Sequence, residues 1–283
     1  MNFDLQNNNL KLLNNFFDYK IVWRTHDVCN IRCPYCFQNN KGNDINKFYP
    51  IIDNIICKLN SELKEINNKK IEISFMGGEP TLIDLKEIIS KIEPYNNIIY
   101  FKIFTNFTAS EKKYKEIFKE QKENKKIGLS ISIHDDVLKI DLNKLENLKE
   151  NIYNCSIVIA TKKNYINYLK YKYLLEKNGV RLIPQKCKDY STKQITTPKE
   201  FLNKVNFFQK KFLVNNKEIT REELQKNNLK FKRVCNPKIE IYTDGKISDC
   251  SLKKREKFFT NILCERENCQ FDCINMKNNC LNI

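Results

Sequence analysis

Six short runs rich in β-branched and aromatic residues punctuate residues 20–186: YKIVWRTHDV, IEISFM, IIYFKIFTN, IGLSISIH, CSIVIA and VRLIP. Between them lie longer stretches, such as INKFYPIIDNIICKLNSELKEI and NYINYLKYKYLLEKNG, with apolar residues at helical spacing. No other feature restricts the fold as much. Parallel neighbours need a crossover of a dozen or more residues, usually a helix. Near-continuous apolar strands joined in this way therefore predict a parallel sheet covered by helices. Six units build either a doubly wound sheet or a partial (β/α)6 barrel, and period alone does not separate them. In both, functional residues collect at the C-terminal ends of the strands. Those ends carry a cysteine loop at 29–36, then GGEP, TN, SIH and PQ.

The remainder divides by composition. Residues 1–19 are an N-terminal extension, 20–190 the strand–helix domain, 191–230 a polar connector read as helical, and 231–283 a cysteine-dense, turn-rich segment. Within the last, KIEIYTDGKISDC carries a hairpin turn signal. So small a segment has little core of its own and needs staples or metal. The first twenty residues show no basic flank and apolar stretch of a signal peptide, and no run approaches a membrane span. The expectation is a cytoplasmic protein without a membrane partner. A formal charge of +16 raises the question of nucleic acid. The lysines are scattered, and no arginine-rich stripe with interleaved aromatics appears, so solvated faces account for the charge.

Twelve cysteines in a reducing compartment point to metal or catalysis rather than disulfides. Cys29, Cys33 and Cys36 form C-x3-C-x2-C, and Cys235, Cys250, Cys264, Cys269, Cys273 and Cys280 fill the tail. Cys57, Cys155 and Cys187 stand apart and read as small core residues. Soft thiolates select zinc or iron–sulfur clusters. Structural zinc sites close with four ligands, and three thiols leave a position open unless His26 fills it. Three thiolates on a four-iron cluster leave one iron free for a substrate or cofactor.

The triad follows the first strand and has Tyr35 just before its last cysteine. SFMGGEPTL ends the second strand. Together, in this order, they resemble the cluster loop and glycine-rich segment of the radical S-adenosylmethionine enzymes, over residues 20–186. The resemblance implies an α/β fold, the partial (β/α)6 barrel. It implies a [4Fe–4S] cluster on Cys29, Cys33 and Cys36 that chelates S-adenosylmethionine and cleaves it to a 5′-deoxyadenosyl radical. It also implies cofactor contacts from Tyr35, Gly77, Gly78, Glu79, Asn106 and Ser132, with His134 at the same rim in a cofactor, substrate or structural role. An electron donor such as flavodoxin or ferredoxin is the implied partner.

The tail spacing C-x9-G-x4-C, from Cys235 through Gly245 to Cys250, resembles the start of the SPASM and twitch domains. The later cysteines match that pattern in part: one spacing is short by a residue, and Asn261 stands at a cysteine position. The resemblance implies one or two auxiliary clusters, the second needing a further ligand such as Cys187 or an open iron. A zinc knuckle is the competing reading, and with the positive charge it would point to RNA. Such relatives mostly modify peptides and proteins by crosslinking, epimerisation or oxidation; others act on sugars or nucleotides. Ser251 stands where sulfatase-maturing relatives have an Asp base, which counts against that reaction. Many peptide-modifying relatives carry a leader-binding domain before the barrel; with some 20 residues ahead of the first strand here, the expectation is that peptide recognition uses another surface or a separate protein. A peptide or protein substrate is the leading expectation, and the catalytic acid or base is not identified.

Overall fold

A polar residue that caps the next helix follows most strands, and this sets the rhythm of the chain. The computed structural model describes residues 17–36, 44–135, 137–187, 196–202, 204–205, 238–249 and 255–259, and the backbone alone of four further strands. The elements are β1 (Tyr19–Arg24), α1 (Tyr49–Glu65), β2 (Lys70–Met76), α2 (Leu85–Lys91), β3 (Ile98–Thr105) and α3 (Glu111–Phe118). They continue as β4 (Lys125–Ile133), α4 (Leu142–Asn147), β5 (Ile152–Ile159), α5 (Lys162–Lys177) and β6 (Leu182–Lys186). Asp84, Ser110 and Asp141 accept from the third backbone N–H of α2, α3 and α4. Thr161 and Asn164 form a capping box on α5. Helix α1 begins with Pro50 in its first turn and buries Ile52, Ile55, Ile56, Leu59 and Leu63 at spacings of three and four.

With β10 (Ile239–Ile241) and β11 (Ile247–Asp249) from the tail, the main sheet runs β11-β10-β1-β2-β3-β4-β5-β6, with β1 to β6 parallel. The order never reverses, so right-handed crossovers place every helix on one side of the sheet. A doubly wound sheet would reverse; the partial barrel is the fold. The strands alternate rather than run apolar throughout. Ile21, Trp23, Ile73, Phe75, Phe101, Ile103, Leu129 and Ile131 pack beneath the helices and are almost fully buried. The intervening residues, among them Lys20, Glu72, Ser74, Lys102, Ser130 and Asn154, face the other side of the sheet, where Glu72, Ser74, Ser130 and Asn154 are buried as well. The expectation of near-continuous apolar strands is corrected here: only one face is covered by helices.

The hairpin signalled by TDG is present as β10 (Ile239–Ile241) and β11 (Ile247–Asp249), paired antiparallel. It is ordered by the main sheet, since β10 lies parallel beside β1 with Ile21 opposite Ile239. Its continuation docks on α1, where buried Glu62 accepts from the backbone N–H groups of Phe258 and Phe259 at 2.7 and 3.1 Å. The ring of Phe259 meets Tyr19 edge-on at 4.9 Å. This part of the tail thus has a borrowed core. Among the described residues of the connector, α6 (Lys199–Leu202) is helical, whereas β7 (Lys211–Val214) and β8 (Lys217–Thr220) form an antiparallel pair. Phe212, Leu213 and Val214 favour a strand. Among the described residues no helix is long and apolar enough to cross a membrane.

Candidate active site

The end of β2 is laced to the start of the cysteine loop. Gly78 N–H donates to the His26 carbonyl at 2.8 Å, and Glu79 N–H donates to the Val28 carbonyl at 2.8 Å. This spacing leaves no room for a side chain. A Cβ on Gly78 would lie 1.7 Å from the Val28 oxygen, and one on Gly77 would lie 2.2 Å from the His26 oxygen. Gly77 also holds φ +141°, a conformation that L side chains rarely adopt. The backbone that the two glycines approach is therefore the chain's own, and their absent side chains fix the cysteine loop onto the sheet.

Glu79 is the knot of the site. It is 1% exposed, and its Oε1 accepts from Thr81 N at 3.1 Å, Thr81 Oγ1 at 2.6 Å and Thr105 Oγ1 at 2.7 Å. Its Oε2 accepts from Asn106 N at 2.7 Å and retains room for another donor. Burial raises its pKa while these bonds oppose the shift. Asn106 in turn donates from Nδ2 to Asn30 Oδ1 at 2.9 Å and to Cys29 Sγ at 3.8 Å, and its Oδ1 accepts from Thr108. Strand ends β2 and β3 and the cysteine loop are joined through this one network.

Cys29, Cys33 and Cys36 line a single cavity of about 200 Å³, together with Tyr35, Gly77, Gly78, Glu79, Asn106, Ser132 and His134. The six expected cofactor contacts and His134 thus meet in one place with the three thiols. His134 Nδ1 lies 3.3 Å from Cys33 Sγ and 3.2 Å from Tyr35 Oη, and the two rings stack at 5.9 Å. Burial pushes the Cys29 thiol up, whereas the Ile31 N–H and the Asn106 amide favour its thiolate. Met76, Phe104, Ser156, Val158 and Gln185 complete the walls.

His26 belongs elsewhere. It is fully buried, tilts against Phe48 and accepts from Val28 N–H at Nδ1, while Nε2 has no partner among the described residues. Burial lowers its pKa to about 4, so it is neutral. A zinc site that includes it is not formed. Among the described residues no three His, Cys, Asp or Glu side chains converge as a single ion requires. Soft donors spread along one wall of a cavity suit a multi-iron cluster better than a closed zinc tetrahedron.

Cys155 is a core residue, its thiol pushed up to about 12 by burial, and Cys187 is buried too. Cys57 is exposed on α1, which corrects its reading as core: it lies on the solvent side of the helical stripe. In the tail, β9 (Lys232–Cys235) and β12 (Cys264–Glu267) form an antiparallel ladder that sets Cys235 opposite Cys264. Cys250, Ser251, Asn261, Cys269, Cys273 and Cys280 lie outside the described residues. The sequence reading does not single out Thr81, Thr105, Asn30 or Thr108. Each is within two residues of an expected site residue, but a Thr or Asn at a strand end reads as a cap.

The family model described as the Radical SAM superfamily matches residues 23–167. An uncharacterised protein of Methanocaldococcus jannaschii is 33% identical over 117 residues, which are 39% of this chain and 37% of that protein. The match thus spans well under half of the relative. Among solved structures, native anSMEcpe with bound AdoMet aligns with a TM-score of 0.50 at 20% identity, covering 83% of this chain and 75% of that one. Streptococcus suis SuiB aligns with a TM-score of 0.50 at 16% identity, covering 84% and 61%. These two likenesses concern the fold.

Proposed function

Because the chain belongs to the radical SAM superfamily, we propose that it cleaves S-adenosylmethionine reductively and uses the radical to modify a peptide or protein side chain. The carrying observation is the cavity in which three thiols share one space with the buried Glu79–Asn106 network. Cys29, Cys33 and Cys36 would hold a [4Fe–4S] cluster, whose chemistry when bound is one-electron cleavage of the sulfonium to methionine and a 5′-deoxyadenosyl radical. The chain supplies position and enclosure. Glu79 offers the remaining acceptor capacity of Oε2 to an ammonium group, a charge-assisted bond. Asn106 and the Ile31 N–H stabilise the Cys29 thiolate. Gly77 and Gly78 keep the cysteine loop at a fixed distance from Glu79. Tyr35 and His134 stack on each other, and His134 Nδ1 lies 3.3 Å from Cys33 Sγ, so both rings border the thiol that would hold the cluster.

The peptide reading is supported by the tail. Its cysteine spacing resembles the auxiliary-cluster domains, and the β9–β12 ladder places two of those cysteines opposite each other. Cys235, Cys250, Cys264, Cys269, Cys273 and Cys280 are the proposed ligands of one or two auxiliary clusters, and a flavodoxin or ferredoxin the proposed electron donor. The test is anaerobic reconstitution with iron, sulfide and a strong reductant, followed by measurement of 5′-deoxyadenosine and methionine. Replacement of all three of Cys29, Cys33 and Cys36 with Ala should abolish both products while the tail keeps its iron. Unchanged turnover in that variant would sink the assignment.

A further inference from the structure

Below the cavity, the same face of the sheet carries more positive charge than it balances. The parallel register sets Lys20 beside Glu72 and Ser74 beside Lys102, on the face that also bears Met76 and Phe104. Lys20 Nζ lies 2.6 Å from Glu72 Oε1, and Ser74 Oγ donates to the same oxygen at 2.8 Å. Both groups occupy Oε1, so Glu72 forms its ion pair with Lys20. Lys102 is the second ammonium of this layer and has no ion-pair partner among the described residues. Its recorded contact is the ring of Phe104, 4.9 Å from Nζ. Burial lowers its pKa, an effect that Glu72 opposes and Lys20 adds to. Lys20 and Lys102 together set two ammonium groups against Glu72, and Glu240, at the level of Ser74 on β10, is taken by Lys238 and Arg24. Lys102 is half-buried, and a partly desolvated charge without an ion pair is costly and is rarely kept for stability alone.

We propose that Lys102 forms an anion-binding floor beneath the active-site cavity, where it receives a single carboxylate of the substrate. The position fits: Lys102 precedes the wall residue Phe104 by two residues, about 6.6 Å along the strand. A substrate anchored there by its acid group presents its other end to the thiol-lined part of the cavity. One unpaired ammonium matches one carboxylate, whereas a phosphate dianion would overfill the layer. The inference rests on the proposed radical chemistry and names the substrate class: an acidic peptide side chain or a peptide C-terminus.

The test measures binding to the reconstituted holoprotein with S-adenosylmethionine present. The probes are two fluorescent heptapeptide pools, capped at both ends and differing only in a central Glu or Gln; an uncapped Gln pool tests the C-terminal carboxylate. Glutarate, its diamide and inorganic phosphate are the small-molecule arm. Wild type should prefer an acid-bearing pool by about tenfold or more, as expected for one charged hydrogen bond. Lys102→Met should erase the preference, and Lys102→Arg should retain part of it. Met fills the volume and removes a desolvated charge, so this variant should melt near wild type. Glu72→Gln removes the internal counter-charge and should widen the preference. If glutarate outbinds its diamide through Lys102 while no peptide pool binds, the floor stands and the peptide reading falls. An acid preference that survives in Lys102→Met, or none in wild type, overturns the floor whichever pool binds. Phosphate that displaces the probe as well as glutarate overturns the single-charge assignment.

Discussion

Replacing Gly78 with Ala should separate the cysteine loop from the sheet, and the size of the effect follows from the backbone geometry. The added Cβ would stand 1.7 Å from the Val28 oxygen, 2.2 Å from its carbon and 2.9 Å from the Asp27 carbon. All three are backbone atoms, so no side chain can rotate away. Ordinary contact begins near 3.4 Å, so the two segments must move apart by well over an ångström. The bonds Gly78 N–His26 O and Glu79 N–Val28 O, both 2.8 Å, would then exceed hydrogen-bonding range. Two such bonds contribute about 1–3 kcal/mol, and orphaning a buried donor costs about 1–3 kcal/mol more. A loss of about 3 kcal/mol corresponds to a melting temperature lower by roughly 6–12 °C for a domain of this size. The chemical consequence is sharper than the thermal one. Cys29 directly follows the displaced segment, so reconstituted Gly78→Ala protein should lose the iron held by the first three cysteines while the tail keeps its own. Calorimetry and iron analysis of the variant beside the triple Cys→Ala protein measure both effects. A variant with wild-type melting and full iron content would refute the reasoning.

Glu79→Gln tests the network at the neighbouring residue. The amide oxygen can keep the Thr81 and Thr105 donors, but its NH2 then faces the Asn106 N–H. Stability should fall by about 1.5–3 kcal/mol, and affinity for S-adenosylmethionine should fall with it; an unaltered isotherm would remove Glu79 from the cofactor site. His26 supplies a pH signature. Its folded pKa is held near 4 by burial, below the ordinary value of about 6.5. Between those values the unfolded chain takes up a proton that the folded chain refuses, so stability declines as the pH falls from about 6.5 to 4, by about 3 kcal/mol at most. Denaturant titrations at pH 7 and 4.5 should show this loss in wild type and a smaller one in His26→Asn, whose side-chain oxygen can replace Nδ1 as the acceptor for Val28; equal losses would show that His26 does not set the slope.

The strand–helix rhythm, the cysteine loop and the GGEP segment were legible because each is a local property. Periodicity marks a buried stripe, and glycine marks a backbone position that admits no side chain. Expectations failed where burial depends on distant partners. Cys57 lies in an apolar helix yet on its outer side, and the tail hairpin draws its order from β1, more than 200 residues earlier in the chain. Glu79 read as an open acceptor, but the fold brings Thr105 and Asn106 to it from the next strand and uses most of its capacity. Lys102 read as one lysine among many. Only the parallel register sets it beside Ser74, on the face where Glu72 pairs with Lys20, so that among the described residues it has no ion pair of its own. Sequence by itself determined which residues carry the chemistry, since thiols, carboxylates and glycines declare their types. The tertiary structure decided which of them are already satisfied, because hydrogen bonds and ion pairs are shared between strands and no single strand records its neighbour.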